Sequence, residues 1–342
     1  MSPGNNRSMS RKPVMSDVAR LAGVSHQTVS RVINGSPSIR PATRERVEHA
    51  IAQLGYRPNS VARALVTSRS GIIGIIGSST AQYGPASTQR SVEESAREAG
   101  FFSSSVTLAS LTRQEIRSAL DHLSRLAVEA IVMIVAQQDA LNVVSSEDFG
   151  VPVIVVEGDL SGSGLSVGVD QIGAARTATQ HLIDLGHTEI AHVSGPDGWP
   201  EATARTKGYL DAMLAARLAP RPQWRGDWSA GRGYELGKQI AADPDITGIF
   251  VANDHMAIGV LHALAEAGRR VPDEVSVVGF DDIPEAPYLI PALTTIRQDF
   301  AAVGHRAIAL VKAQLSDTEC ETALLGADLV VRDSTAPPPG TA

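Results

Sequence analysis

The sequence predicts an N-terminal all-α helix-turn-helix domain, a short helical connector, and an α/β core of two lobes built on parallel sheets. Three observations predict this. Residues 16–34 read as two short helices joined by a tight turn. Charge is divided: residues 1–70 hold 11 Lys and Arg against 3 Asp and Glu, and the remainder holds 19 against 34. From Gly71 onward, strand-length apolar runs alternate with helical stretches. A basic module on an acidic body is the electrostatic footprint of a polyanion binder, which the overall net charge of −7 conceals.

Residues 1–12 are polar and expected to be disordered. Ser16 is placed to cap the first helix, with Val18, Leu21 and Ala22 on its apolar face. Gly23 permits the left-handed backbone that ends it. Ser25 caps the second helix, and Val29, Val32 and Ile33 face inward. Asn34-Gly35 stops it. His26, Gln27, Ser30 and Arg31 then face outward, where a helix-turn-helix presents its recognition helix to the major groove. A third helix runs from Pro41, a favoured first position, to Leu54, with Arg44 and Arg46 on its exposed side. Tyr56-Arg-Pro58 breaks the chain. Asn59 caps a short helix over 60–66 that is too short to be stable alone, and 67–70 is a polar linker.

In the core, strands are expected at 72–76, 102–107, 130–135 and 153–156, and a second series at 189–193, 248–251 and 275–279. Helices fall near 86–99, 112–126, 171–185, 201–216, 230–241 and 254–267. Alternation of this kind implies parallel sheets wrapped by helices. Two series make two lobes with a cleft between them, and ligands of such sheets sit at the carboxyl ends of strands. The Pro-rich tail, 336–342, is expected to be disordered.

Other classes are disfavoured. The single cysteine, Cys320, allows no internal disulfide and suits a reducing cytoplasm. The longest apolar run, 130–136, is too short to span a bilayer, and the first fifteen residues lack a signal-peptide core. Gly164-Leu-Ser-Val-Gly168 fits the hydrolase elbow Gly-x-Ser-x-Gly, which needs a strand before Ser166 and a helix straight after it. A glycine-serine loop precedes Ser166 and a strand-like run follows, so the match reads as chance. Gly71 to Gly77 spaces its glycines wrongly for dinucleotide binding, and no His-Glu-x-x-His occurs. No catalytic residue, metal or cofactor is expected, and His181, His187 and His192 read as surface or core.

Several segments resemble the LacI/GalR family of bacterial sugar-responsive repressors. They are Asp17 to Val32, Leu54-Gly-Tyr-Arg-Pro-Asn59, Gly226-Asp-Trp-Ser-Ala230, Val251-Ala-Asn-Asp-His-Met-Ala-Ile-Gly259, Ser276-Val-Val-Gly-Phe-Asp-Asp282 and Leu293-Thr-Thr-Ile-Arg-Gln-Asp-Phe300. The resemblance covers nearly the whole chain. It implies a cytoplasmic homodimer that binds double-stranded, pseudo-palindromic operator DNA, and a periplasmic-binding-protein-like core controlled by a sugar or glycoside (a galactoside among the candidates). His26, Gln27 and Arg31 match base-reading positions; an Arg bridges guanine O6 and N7, and a Gln bonds adenine bidentately. Ser16, Ser25, Thr28, Ser30 and Asn34 are candidates for phosphate contacts, which set register without reading sequence. The segment 59–66 matches the family's hinge helix. There Asn59 caps, Val61 and Ala62 pack hinge on hinge, and Leu65 wedges into the minor groove.

In the cleft, Ser78, Arg205, Trp228, Asn253, Asp281, Gln298 and Phe300 match ligand-contacting positions. A rigid donor fork, two-way amides, an acceptor and an aromatic wall suit a polyol. The residues alone also fit plainer roles: Asn253 and Asp254 as helix caps, Asp281-Asp282 as a solvated loop, Trp228 as packing. Departures from the family member with the fullest motif match lie at Gln82, Val155 and His255. The loop after 130–135 is about two residues shorter and leaves Gln137 or Gln138 where an acidic contact is expected. No leucine heptads end the chain, which implies a dimer without a four-helix tetramer seam.

The expected boundaries are 13–58 for the DNA-binding domain, 59–70 for hinge and linker, and 71–335 for the core. Within the core the N-lobe takes about 71–156 and 300–326, and the C-lobe about 157–299 and 327–335. Two other classes fit the sequence less well: a solute receptor without DNA recognition, and a cleft hydrolase using Ser166.

Overall fold

The computed structural model describes residues 13–33, 36–56, 69–78, 82–108, 112–134, 149–156, 165–320 and 323–340. Asn34, Asn59, Val61, Ala62, Leu65, Gln137 and Gln138 lie outside the described residues. The chain forms two compact units, residues 1–70 and 71–342. Among the described residues, no helix is long and apolar enough to cross a membrane.

In the first unit, α1 (Met15–Ala22), α2 (His26–Ile33) and α3 (Pro41–Leu54) enclose a core that includes Val18, Ala22, Val29, Val32, Val47 and Ala50. Gly23 and Gly55 take left-handed conformations, φ +64° and +60°, and close α1 and α3. Two expectations are corrected. Ser16 does not cap α1: the helix starts two residues earlier than that cap implies, at Met15, and the Asp17 carboxylate accepts from the Val14 N–H at 3.0 Å. Leu21 is 46% exposed and Ala19 is buried in its place. The buried face is centred on Val18, Ala19 and Ala22, and its two alanines let α1 approach α3 closely.

The second unit is two layered lobes. The first holds a six-stranded parallel sheet in the order β11-β5-β4-β3-β1-β2, namely Ala323–Leu325, Ser166–Val169, Val153–Val156, Ala130–Ile134, Ile72–Ser78 and Phe102–Leu108. Its central strands are continuous β-branched runs, as expected for a sheet covered on both faces. Ile73, Val132 and Ile154 pack toward the helix Phe300–Leu315. Ile76, Ile131 and Met133 pack with Leu123 of the helix Arg113–Arg125. At Gly74 a Cβ would come within 2.7 Å of Leu123, so glycine lets that helix close on the sheet.

The second lobe holds a four-stranded parallel sheet, β7-β6-β8-β9, made of Trp224–Arg225, Ile190–Ser194, Gly248–Val251 and Ser276–Val278. A two-stranded antiparallel ribbon joins β10 (Thr295–Gln298) to β12 (Ala327–Val330).

The strand β5 belongs to the first sheet, which moves the lobe boundary from 156/157 to Asp170. Extended parallel pairing of β5 with β4 and β11 holds it there. The chain passes between lobes at residues 170, 299 and 326. Asp170 caps the helix Gln171–Asp184 by accepting from the Gly173 N–H at 2.8 Å, and its own N–H donates to the Leu325 carbonyl at 2.8 Å. Asp299 caps the helix Phe300–Leu315 through the Ala302 N–H at 2.9 Å.

The tail expected to be disordered from 336 is held at its start. The Ala336 N–H donates to Ser276 Oγ at 3.0 Å, and His187 Nε2 lies 2.9 Å from the Ala336 carbonyl. Ser334 continues the edge of the second sheet: the Val277 N–H donates to its carbonyl at 2.8 Å.

Candidate functional site

Two candidate surfaces emerge. On α2, His26, Gln27 and Arg31 are exposed, while Val29 and Val32 are buried beneath them. The helix is phased by its cap: Ser25 Oγ accepts from the Thr28 N–H at 3.1 Å and lies 2.9 Å from the Thr28 hydroxyl. Ser25 and Thr28 therefore already serve the helix start. Ser16 is exposed and Ser30 half-buried.

In the second unit a cleft opens at the carboxyl ends of the second lobe's strands, where parallel sheets place ligands. Arg205, Trp228, Asn253, Asp281 and Gln298 line it, as expected. Asn253 follows β8 and does cap the next helix, Oδ1 accepting from the Met256 N–H at 3.0 Å, while Nδ2 donates to the Trp228 carbonyl at 3.1 Å. Capping and cleft lining coexist in one side chain. Asp281 follows β9 at φ +111° and is buried, not solvated. Its neighbour Asp282 is ion-paired to Arg297 and Arg332, each at 2.6 Å.

These side chains close a ring. Arg205 Nε donates to Gln171 Oε1 at 2.8 Å; Gln171 Nε2 donates to Gln298 Oε1 at 2.8 Å; Gln298 Nε2 donates to Asp281 Oδ1 at 2.8 Å. The Asp281 carboxylate faces Arg205 Nη2 at 3.6 Å. The guanidinium lies over the Phe280 ring at 3.7 Å, a cation–π contact. Behind Phe280 runs an aromatic column. Phe250 is 6.4 Å from Phe280, and His192 stacks between Phe250 and Tyr209 at 4.8 and 5.0 Å. Burial pushes His192 down to about 4. Neutral at ordinary pH, it presents Nδ1 to the Phe250 carbonyl at 3.1 Å.

Trp228 adopts φ +73° and packs edge-on against Trp199, centroids 5.8 Å apart. Its indole N–H is buried without a hydrogen-bond partner, a donor that a bound hydroxyl would satisfy. Beneath the ring network, Asp254 is fully buried. Burial, then the Asp281 charge, pushes its carboxyl up to about 8. It takes the Ile283 N–H at 2.9 Å and pairs with the Thr295 hydroxyl at 2.6 Å, so it is a structural acid and not a cap.

Two expected residues do not line this cleft. Ser78 borders a separate cavity of the first lobe with Gln89 and Thr107, and among the described residues this cavity shares Pro85 alone with the cleft. Phe300 packs against Tyr83 at 5.8 Å, and Tyr83 is the ring that lines the cleft. The sequence reading missed Tyr83, Gln171, Trp199 and Glu201. Gln171 lies two residues beyond the end of β5, which is the signal that could have found it. Ser166 opens β5, and the next helix begins only at Gln171, so no hydrolase elbow forms. Among the described residues, no His, Cys, Asp or Glu cluster is arranged to hold a metal ion.

Comparison with known proteins adds two family matches: "Bacterial regulatory proteins, lacI family" over residues 14–59, and "Periplasmic binding protein-like domain" over 179–335. The chain is similar to the lactose operon repressor of Escherichia coli K12, at 32% identity over 96% of this chain and 92% of that protein. It is similar to the regulator CelR of Thermobifida fusca, at 32% identity over 95% and 98%. The repressor PurR of Histophilus somni is 34% identical over 93% and 97%. Among solved structures, the lac repressor dimer bound to operator and the anti-inducer ONPF superposes with a TM-score of 0.81, at 32% identity over 95% of this chain and 100% of that one. The CelR–cellobiose complex gives 0.70, at 32% identity over 94% and 99%.

Proposed function

The chain belongs to the lacI family of bacterial regulatory proteins, and from that premise we propose a homodimeric, cytoplasmic repressor of carbohydrate-utilisation genes whose hold on a pseudo-palindromic operator is set by a sugar or glycoside in the cleft. It is a DNA-binding transcriptional regulator, not an enzyme. Its reader is α2: His26, Gln27 and Arg31 face the bases, with Ser16, Ser25, Thr28, Ser30 and Asn34 toward the phosphates. The hinge residues Asn59, Val61, Ala62 and Leu65 are assigned to the minor groove on the family pattern alone.

The observation that carries the effector site is the closed ring of Arg205, Gln171, Gln298 and Asp281. Gln171 and Gln298 stand beside the lobe crossings at 170 and 299. A ligand that engages the ring therefore bears on how the lobes meet. Sugar hydroxyls both donate and accept, which matches amides, a carboxylate and a guanidinium presented together. The relative solved as a CelR–cellobiose complex supports a glycoside. By linkage, an effector that weakens operator binding must itself bind more weakly to the operator complex.

The test is fluorescence anisotropy on DNA recovered by selection from a random pool. Purified protein should prefer that DNA over scrambled sequence at fixed salt, and a glycoside should shift its affinity. No sequence preference, with or without any sugar, would sink the reading.

A further inference from the structure

Among the described residues that line the cleft, carboxylates outnumber cations. Glu201 and Asp281 are both buried there, against one cation, Arg205; among the described lining residues there is no Lys, His or second Arg. Arg205 is also largely committed. Nε serves Gln171, Nη1 the Ala252 carbonyl, Nη2 faces Asp281, and its flat face is on Phe280. No open bidentate fork of the kind that binds a phosphate or carboxylate remains. Glu201 precedes Arg205 by one helical turn on the helix Pro200–Ala215, so both project to the same face. Two residues earlier, Trp199 forms an aromatic corner with Trp228.

We infer that Glu201 makes the cleft selective for uncharged glycosides: it accepts hydroxyl hydrogen bonds from a sugar stacked in the Trp199–Trp228 corner and repels sugar phosphates and uronates. The inference rests on the reading of this cleft as the effector site. Like-charge juxtaposition in a desolvated pocket is strongly unfavourable.

Calorimetry and tryptophan fluorescence against matched pairs test it: galactose and galacturonate, glucose and glucuronate, each sugar and its 6-phosphate, with lactose and cellobiose as neutral disaccharides. Wild-type protein should bind at least one neutral sugar and its anionic counterpart at least about a hundredfold more weakly. Glu201→Gln keeps the shape and removes the charge. It should weaken the neutral sugar about tenfold and narrow the gap to about tenfold or less. An anionic counterpart binding as tightly as its neutral partner, or a gap unchanged in Glu201→Gln, overturns the inference. Arg205→Ala separates the two levels. If it binds sugars like wild type, or if no sugar binds wild type, the cleft reading itself has failed. If it abolishes sugar binding while Glu201→Gln changes nothing, only the charge filter is wrong.

Discussion

The side-chain amides of Gln171 and Gln298 meet at 2.8 Å, Nε2 of the first donating to Oε1 of the second, and the two residues flank different lobe crossings. Their remaining amide atoms reach Arg205 and Asp281. Each glutamine is thus used at both ends, and neither can leave without opening the ring. Gln171→Leu removes the acceptor of a buried guanidinium and the donor to Gln298. Unsatisfied buried groups cost about 1–3 kcal/mol, so sugar affinity should fall about 5- to 150-fold. Operator binding by the effector-free protein should persist. Calorimetry for the sugar and anisotropy for DNA check both; unchanged sugar affinity would remove the ring from the account.

Asp254 predicts a pH dependence with a definite sign. Its carboxyl ionises near 3.8 in the unfolded chain and about 8 in the fold. The folded protein therefore keeps a proton that the unfolded chain releases. The stability this contributes is fully present below about pH 4 and is lost as pH rises toward about 8. His192 works oppositely: held at about 4 in the fold against 6.5 unfolded, it contributes above pH 6.5 and loses that contribution as pH falls toward 4. The two slopes oppose below pH 6.5, and above it Asp254 acts without His192. The urea midpoint of the wild type should fall from pH 6.5 to 8. Asp254→Asn, with Oδ1 taking the Ile283 N–H and Nδ2 facing Thr295, should be flat across that range. A variant that still loses stability there would show that another group carries the titration.

Gly195 sets the place of Trp228. A Cβ at Gly195 would come within 2.2 Å of the indole ring. On its other sides the ring meets Trp199, centroids 5.8 Å apart, and Arg205, 5.6 Å from its centroid. Gly195→Ala must displace the indole. A buried aromatic anchor is worth ~2 kcal/mol or more, so sugar affinity should drop at least about thirtyfold, with a changed near-ultraviolet dichroism spectrum and intact operator binding. Wild-type sugar affinity in this variant would mean that Trp228 is packing and not a wall.

These residues also mark what the sequence makes legible. The helix-turn-helix is readable because local chemistry sets its limits: Gly23 and Gly55 in left-handed backbone, Ser25 at a cap. Asn253 and Asp281 are readable because strand ends in parallel sheets gather ligand contacts and the motifs around them are specific; Arg205, within the helix Pro200–Ala215, is readable from the family resemblance alone. The phase of α1 is not readable, because Ala19 and Leu21 exchange burial according to how closely α3 packs. Gln171 was missed because the seating of β5 in the first sheet, a pairing distant in sequence, brings it to the cleft; Trp199 and Glu201 start the helix that carries Arg205, and the four-residue spacing of Glu201 from Arg205 is the signal that could have found it. Ser78 sits at a strand end too, but its side chain borders another cavity, a direction that spacing alone does not report.

Arg31 separates base reading from phosphate holding. It is exposed on α2 in the stretch that bears His26 and Gln27. If it bridges a guanine, Arg31→Ala should cost about 1–3 kcal/mol of discrimination at one base pair. That is about a 5- to 150-fold loss on the selected operator, with a much smaller loss on scrambled DNA at the same salt. Gln27→Ala should relax a different position, toward adenine. Thr28→Ala should instead weaken both DNAs alike, and it should also lower stability, because Thr28 shares the cap with Ser25. Anisotropy titrations on operator and scrambled duplexes across a salt series distinguish these outcomes. Equal losses on both DNAs in Arg31→Ala would make Arg31 a phosphate contact and leave His26 and Gln27 as the residues that read sequence.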